Sequence, residues 1–474
     1  MMGLSKKWLV LSSLCSTLLY SSIAQAHSSS SLQEFKTAST VIAKVKFKNY
    51  KTGMWKLNQL HLDVAGIDIK NASADVLVNE SELKKLEDMG FDVSVIMSKS
   101  LMRGPDPQYK NPAEIEKLLH DFNTQFPELT EIKEVGKSLQ GRSIWALKIT
   151  NRKISGSKPS VLFNGMHHAR EVMGPEVALD IIETLLRGYG KDNRITHWVD
   201  SNQIWVLPMF NVDGNNIVWT NDTMWRKNAR DSYGVDINRN YPFAWGSCNG
   251  SSAARWAQDY RGPSAASEPE TNVMMKLVSE IRPVFDISYH SYSELVIYPM
   301  GCDGQRTQNA DVVETIGKEM GKSIGYTAGT AWETLYSVDG SDIDWMYSTY
   351  QVIPYVIEVN SSRDGFQPDY SKRQPTVELN RKAWQLLLDR LDGSGIRGVV
   401  DRASAPIGDF SVLVQKKIGN QYVNYMNYKG NPDGSFHIVT NPGDFRIIIS
   451  GQNFAAITKD VSVGKNRTEL SLSL

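Results

Sequence analysis

At 474 residues the chain exceeds one ordinary domain and suggests two to four. Its 52 basic and 52 acidic residues balance, so no net field draws it to nucleic acid or to an anionic membrane, and neither is expected as a partner. A hydrophobic content of 41% is ordinary for a globular protein with real cores and says nothing of chemistry.

Lys6 and Lys7 precede an apolar run over residues 8–20, and Ala24-Gln25-Ala26 offers small residues at cleavage positions. That is the pattern of a secretory signal, too short and wrongly flanked for a membrane anchor. Residues 1–26 are therefore expected to be removed and the protein exported, to the periplasm or beyond. Leu14 stands where a lipoprotein signal needs a small residue before Cys15. No later run reaches 18 consecutive apolar residues, which predicts a soluble mature chain without membrane insertion, and a monomer is expected. Export leaves Cys248 and Cys302, a pair that an oxidising compartment can join, although the sequence leaves that open.

Residues 27–97 read as a small α+β domain after a Ser-rich start. The predicted order is strand 41–47, helix 53–60, strands 62–67 and 74–78, helix 80–89 and strand 91–97. The second helix is the clearest, with Leu83, Leu86 and Met89 at three-residue spacing and Gly90 as its stop. A βαββαβ order suits a ferredoxin-like sheet. A Pro-rich, basic linker over 98–110 is expected to be open to proteases.

Residues 111–394 alternate amphipathic helices (112–126, 175–187, 268–280, 310–324 and 377–391) with apolar strand runs (160–164, 203–208, 284–288, 295–298 and 355–359). Such alternation predicts an α/β fold: a mostly parallel mixed sheet with helices on both faces. Residues 395–474 change to short strands punctuated by Pro432-Asp433-Gly434 and Asn441-Pro442-Gly443, which predicts an all-β sandwich.

The chain has eight histidines and neither an HExxH nor an HxxEH motif. It does carry His168-Ala169-Arg170-Glu171 directly after the strand run that ends at Asn164. An imidazole and a carboxylate three residues apart on a helical turn can bite one ion. The pair alone is weak, but ligands in α/β sheets gather beyond the carboxyl ends of strands. A catalytic zinc takes three protein ligands and leaves a fourth position for water. Among His120, His167, His197 and His290, the first and third sit in charged, solvated surroundings. His290 follows the strand-like 285–289 and is the best third ligand.

Six segments in one order then resemble the zinc carboxypeptidases of the A, B and T kind: GMHHARE (165–171), MWRKNAR (224–230), GVDINRNYP (234–242), YHSYSELVIYP (289–299), YSVDGSDIDW (336–345) and YVIEVN (355–360). The resemblance spans about residues 108–392 and implies an enzyme that hydrolyses the last peptide bond of peptides and proteins with one Zn2+. By that resemblance His168, Glu171 and His290 hold the metal, Glu358 is the general base, and Arg226 stabilises the oxyanion. Asn238 and Arg239 match the pair that grips the substrate's terminal carboxylate. Tyr336 matches the tyrosine that closes over the bound residue, Arg170 an outer-subsite contact, and Asp236 the carboxylate that orients His168. The domain before the linker stands where many of these enzymes carry an inhibitory propeptide. The C-terminal sandwich resembles transthyretin-like or carboxypeptidase-regulatory-like modules through GVVDRASAPIGDFSVLV, DGSFHI and PGDFRIIISG.

The resemblance also places Ile297, Gly301, Ala331, Ser341, Asp342 and Ile343 around the substrate's side chain. Ile343 stands where basic-specific relatives place an aspartate, so aliphatic or aromatic C-terminal residues are expected, with secondary acceptance of Lys or Arg. Asp342 is expected to turn outward as a surface charge, whereas turned inward it would pair with a basic side chain. One cysteine between Trp245 and Tyr260, where many bacterial relatives have two, argues against a local bridge there. Two other readings stay open: a secreted peptide-binding protein that lost catalysis, and a zinc hydrolase of cell-wall peptides or acylated amino acids.

Overall fold

The computed structural model describes residues 40–98, 104–401, 409–452 and 454–473. The signal-like residues 1–26 and part of the linker, 99–103, lie outside the described residues.

The first unit runs β1 (Val41–Lys46), helix Tyr50–Asn58, β2 (Asp63–Asp68), β3 (Ser73–Val78), helix Glu80–Asp88 and β4 (Asp92–Ser98). Its strands form one antiparallel sheet in the order β2-β3-β1-β4. The first helix starts three residues before its predicted position because the Asn49 side chain accepts a hydrogen bond from Thr52 N and caps it. Gly53 lies inside that helix, where a Cβ would come within 2.3 Å of the Phe47 ring.

The central region is built on eight strands: β5 (Thr130–Lys137), β6 (Ser143–Ile149), β7 (Ser160–Gly165), β8 (Gln203–Leu207), β9 (Phe285–Ser291), β10 (Leu295–Tyr298), β11 (Thr327–Thr330) and β12 (Ile353–Val359). They are ordered β11-β10-β12-β9-β7-β8-β6-β5. β12, β9, β7 and β8 run parallel at the centre, while β10 runs against β12 but parallel to β11, and β6 runs against both β8 and β5, so the sheet is mixed as expected. Every residue of β7 and β9 is buried, the mark of strands covered on both faces. Helices Met173–Gly188, Arg373–Arg390 and Ala310–Ile324 pack beside this centre, and Pro112–Gln125 and Pro269–Ile281 pack against β5.

Three details differ from the expectations. His290 lies within β9 rather than just after it, because the strand continues two residues past its apolar run. His168–Glu171 forms a turn ahead of helix Met173–Gly188 instead of a helical turn. Residues 342–350 form a helix, capped by Ser341 Oγ, that is absent from the predicted ones.

The last unit contains β13 (Gly395–Asp401), β14 (Phe410–Ile418), β15 (Gln421–Lys429), β16 (Ser435–Val439), β17 (Gly443–Gly451), β18 (Phe454–Val463) and β19 (Arg467–Ser473). They make a three-stranded sheet, β16-β13-β19, and a four-stranded one, β15-β14-β17-β18. Val412, Val414, Phe436, Ile438, Ile447 and Ile449 are buried in one hydrophobic cluster with the central region. The seam is also polar: the Asp311 carboxylate accepts from Lys416 Nζ and Tyr425 OH, each at 2.7 Å.

Candidate metal centre and active-site cleft

The carboxyl ends of the parallel strands β7, β9 and β12 bring the chemistry together. The turn after β7 presents His168 and Glu171, β9 presents His290, and β12 presents Glu358 in register with His290. Strand register thus sets residues far apart in sequence side by side.

His168, Glu171 and His290 are buried and converge, their ligand atoms lying within 4.8 Å of one another. His168 Nδ1 stands 2.8 Å from Glu171 Oε1, and His290 Nδ1 stands 3.0 Å from Glu171 Oε2. The two Nδ1 atoms face each other at 3.1 Å. Two nitrogens about 2.0–2.1 Å from one tetrahedral ion would be about 3.3 Å apart, so this donor set fits a single zinc. Burial would push the Glu171 carboxyl up, yet the imidazoles of His168 and His290 hold it below the ordinary glutamate range. Glu358, half-buried at the cleft wall, is pushed well above that range by burial and by the nearby Glu171 charge. A divalent cation between these groups relieves that repulsion, a second sign that the cluster suits a metal.

Asp236 links the cluster to Arg226. One of its oxygens lies 3.3 Å from His168 Nε2, and the other accepts from Arg226 Nη2 at 2.8 Å. Burial works against both charges, but the pair holds Asp236 well below the usual carboxylate range and Arg226 above its usual value. Arg226 Nη1 reaches to 4.0 Å of Glu171 Oε1, beside the metal position. Arg239 and Asn238 sit on the short turn Ile237–Arg239. Arg239 Nε donates to Gly250 O at 3.0 Å, and Asn238 Oδ1 accepts from Asp342 N at 3.0 Å.

One cleft of about 690 Å³ is lined by His168, Glu171, Arg226, Asn238, Arg239, His290, Tyr336, Ile343 and Glu358. Ile297, Gly301, Ala331, Val338, Ile343 and Val356 give it a largely apolar wall, in which Ser341 and Asp342 are the polar members. Val64, Ala65 and Gly66 of β2 also line it, so the first unit stands in the cleft mouth. Arg170, the tenth predicted side chain, is fully buried outside that lining. Both of its terminal nitrogens donate to the Asp63 carboxylate at 2.6 Å.

Asp342 departs from its expected orientation. It is fully buried rather than a surface charge, because it opens a helix whose first turn is packed under the cleft. Its Oδ1 accepts from Ile343 N at 2.8 Å, and its Oδ2 lies 3.5 Å from His167 Nε2. His167, which the spacing argument left without a role, stacks on His290 at 5.6 Å between ring centroids. Burial pulls its imidazole down to about 4 despite Asp342. Asp63 likewise had no local signal; only its placement on β2 opposite Arg170 reveals it. Cys248 and Cys302 are joined in a disulfide with Cα atoms 5.9 Å apart.

With this geometry in place, comparisons with known proteins are informative. The zinc carboxypeptidase family profile (Peptidase M14) matches residues 115–383. A zinc carboxypeptidase of Saccharothrix mutabilis subsp. capreolus is 33% identical over 303 residues, covering 60% of this chain and 70% of that protein. Carboxypeptidase B of Bos taurus is 29% identical over 287 residues, covering 57% of this chain and 68% of its own. The crystal structure of carboxypeptidase A from Helicoverpa armigera shares the fold with a TM-score of 0.63 at 22% identity, covering 74% of this chain and 96% of that one.

Proposed function

The chain belongs to the zinc carboxypeptidase family, and from that premise we propose that it is exported as a quiet precursor and, once cut, removes apolar residues from peptide C-termini. The observation that carries this reading is one cleft in which a three-donor metal cluster, an Asn238–Arg239 pair and a largely apolar wall lie together.

In this reading the terminal carboxylate of a peptide rests on Arg239 and Asn238, and its last side chain enters the apolar wall beside Ile343. A zinc ion on His168, Glu171 and His290 supplies Lewis acidity toward a carbonyl oxygen and acidifies water. Arg226 places a fixed cation where negative charge grows on the scissile carbonyl oxygen. Glu358 takes one proton from the attacking water and returns it to the leaving nitrogen as the carbon–nitrogen bond breaks. The products are the shortened peptide and one free amino acid. Tyr336 closes over the bound residue, and Arg170 contacts the substrate farther out.

The same reading gives the first unit an inhibitory role, supported by Val64–Gly66 in the cleft and by Asp63 on Arg170. Cleavage within 98–110 would release both, and the active form is proposed to be a monomer. Among the described residues no helix is long and apolar enough to cross a membrane. The apolar inner wall supports a preference for Leu and Phe over Ala, since each buried methylene contributes about 0.8 kcal/mol. The decisive assay compares free and C-terminally amidated peptides, with and without a zinc chelator. Cleavage of the amidated series, or full activity in chelator, would overturn the reading.

A further inference from the structure

Arg239 owes its orientation to two backbone carbonyls: Nε donates to Gly250 O at 3.0 Å and Nη1 to Asn238 O at 2.9 Å. The guanidinium is therefore only as well placed as the loop that carries Gly250. That loop, residues 246–251, is wrapped around a single buried carboxylate. Asp339 Oδ2 accepts from Cys248 N and Gly250 N, each at 3.0 Å. Its Oδ1 accepts from Gly246 N at 3.2 Å and from the Ser251 hydroxyl. Gly250 O thus lies between two groups, Gly250 N and Ser251 Oγ, that Asp339 holds. A Cβ at Gly250 would come within 2.4 Å of Asp339 N, so the segments meet backbone to backbone.

The segment bearing Asp339 also touches the other half of the pair. Asp342 N donates to Asn238 Oδ1 at 3.0 Å, and Tyr241 N donates to Gly340 O at 2.9 Å. Gly340 has φ +66°, and a Cβ there would come within 2.4 Å of Arg239 O. Asp339 is therefore the point where the loop 246–251, the turn Ile237–Arg239 and the segment from Tyr336 to Ile343 are tied together.

We propose that Asp339 is a positioning residue for recognition of the substrate's terminal carboxylate, acting through Gly250 on Arg239. The inference rests on the carboxypeptidase reading given above. A bidentate grip needs a fixed fork, and a displaced fork weakens binding of the whole substrate without altering the proton transfers at Glu358. A purely structural Asp339 would instead lower the amount of active enzyme, with KM unchanged.

The test uses the full chain after linker cleavage. Asp339→Asn keeps the shape but turns the amide NH2 toward two of the four donors, whichever way the side chain is flipped. KM for peptides with a free C-terminus should rise about tenfold or more, the usual scale for a lost charged hydrogen bond in a buried site. kcat and zinc content by mass spectrometry should change little. In an Arg239→Ala background the same substitution should move KM by less than about twofold, the ordinary error of additivity. Ser251→Ala, which removes one donor only, should show a smaller KM rise in the same direction and covers the case of a poorly folding Asp339→Asn. An unchanged KM in a folded variant, or an equal KM rise with and without Arg239, would overturn the role of Asp339. An inactive wild-type enzyme on free C-termini would instead overturn the carboxypeptidase reading itself.

Discussion

At the scale of single residues, two carboxyls make separable predictions. Glu358→Gln keeps the size and polarity of the cleft wall but cannot accept a proton. The variant should retain zinc and bind substrate while kcat falls about 100-fold or more, the range of general-base contributions. Stopped-time hydrolysis with parallel metal analysis checks this, and a rate near wild type would remove Glu358 from the mechanism. Asp344 offers the pH test. Its Oδ2 accepts from Gly301 N at 2.8 Å, and burial pushes its carboxyl up to about 7 from 3.8. The native state therefore keeps this proton where the unfolded chain has lost it, so this group's contribution to stability falls as pH rises from about 4 to about 7 and is level beyond. The full effect has an upper limit of about 4 kcal/mol at 1.36 kcal/mol per pKa unit. Asp344→Asn resembles the protonated form, so its stability relative to wild type should improve steadily across that window. Urea unfolding at pH 4.5, 6 and 8 measures it; a pH-independent difference would contradict the assignment.

At the scale of elements, the contact of β2 with the cleft is the testable feature. The Asp63 carboxylate and the Arg170 guanidinium are both buried in the docked state, so removing one leaves the other uncompensated there and free to hydrate after release. Asp63→Ala should weaken the hold of the cut first unit by roughly 30-fold or more, the usual cost of truncating a buried charge pair. The uncut variant should then be more active than the uncut wild type, and inhibition of the cut enzyme by the separately added unit measures the change. What was legible beforehand follows the same division. β7 and β12 announce themselves as apolar runs and β9 as an alternation of Phe285, Ile287 and Tyr289 with polar residues. His168, Glu171 and His290 can be singled out at strand ends, whereas Glu358 is named through the family resemblance. β15 carries Tyr and Asn on an outer strand with little buried surface, so its pattern is faint. The helix from Asp342 opens on Asp342, Ile343 and Asp344 and depends on the Ser341 cap and on packing under the cleft, so no helical period marks it in the sequence. The inward Asp342 and the hub at Asp339 depend on partners about 90 to 170 residues away, such as Gly250 and His167, and no local signal marks them.

At the scale of the whole molecule, the two flanking units join the centre differently. The first unit shares a cluster with Leu295, Ile297, Ala331, Val338, Ile343 and Val356, largely the apolar wall of the cleft, and so covers surface that a substrate would use. The last unit shares the main core, and it braces the helix Asp342–Tyr350 from behind. Tyr347 OH lies 3.6 Å from Met426 Sδ, and Lys429 Nζ lies 5.2 Å from the Tyr350 ring centre. That helix carries Ile343 at its front, so the sandwich is mechanically upstream of the cleft wall. Losing it would expose several core side chains, each contributing about 1.5–3 kcal/mol when fully buried. A chain ended at residue 394 should therefore be destabilised by several kcal/mol, with KM for Phe-ending peptides raised more than kcat is lowered. Calorimetry should show the centre and the sandwich melting in a single transition, because their buried residues form one contiguous core. Two separate transitions, with unchanged specificity after truncation at 394, would mean that the sandwich is only an appendage.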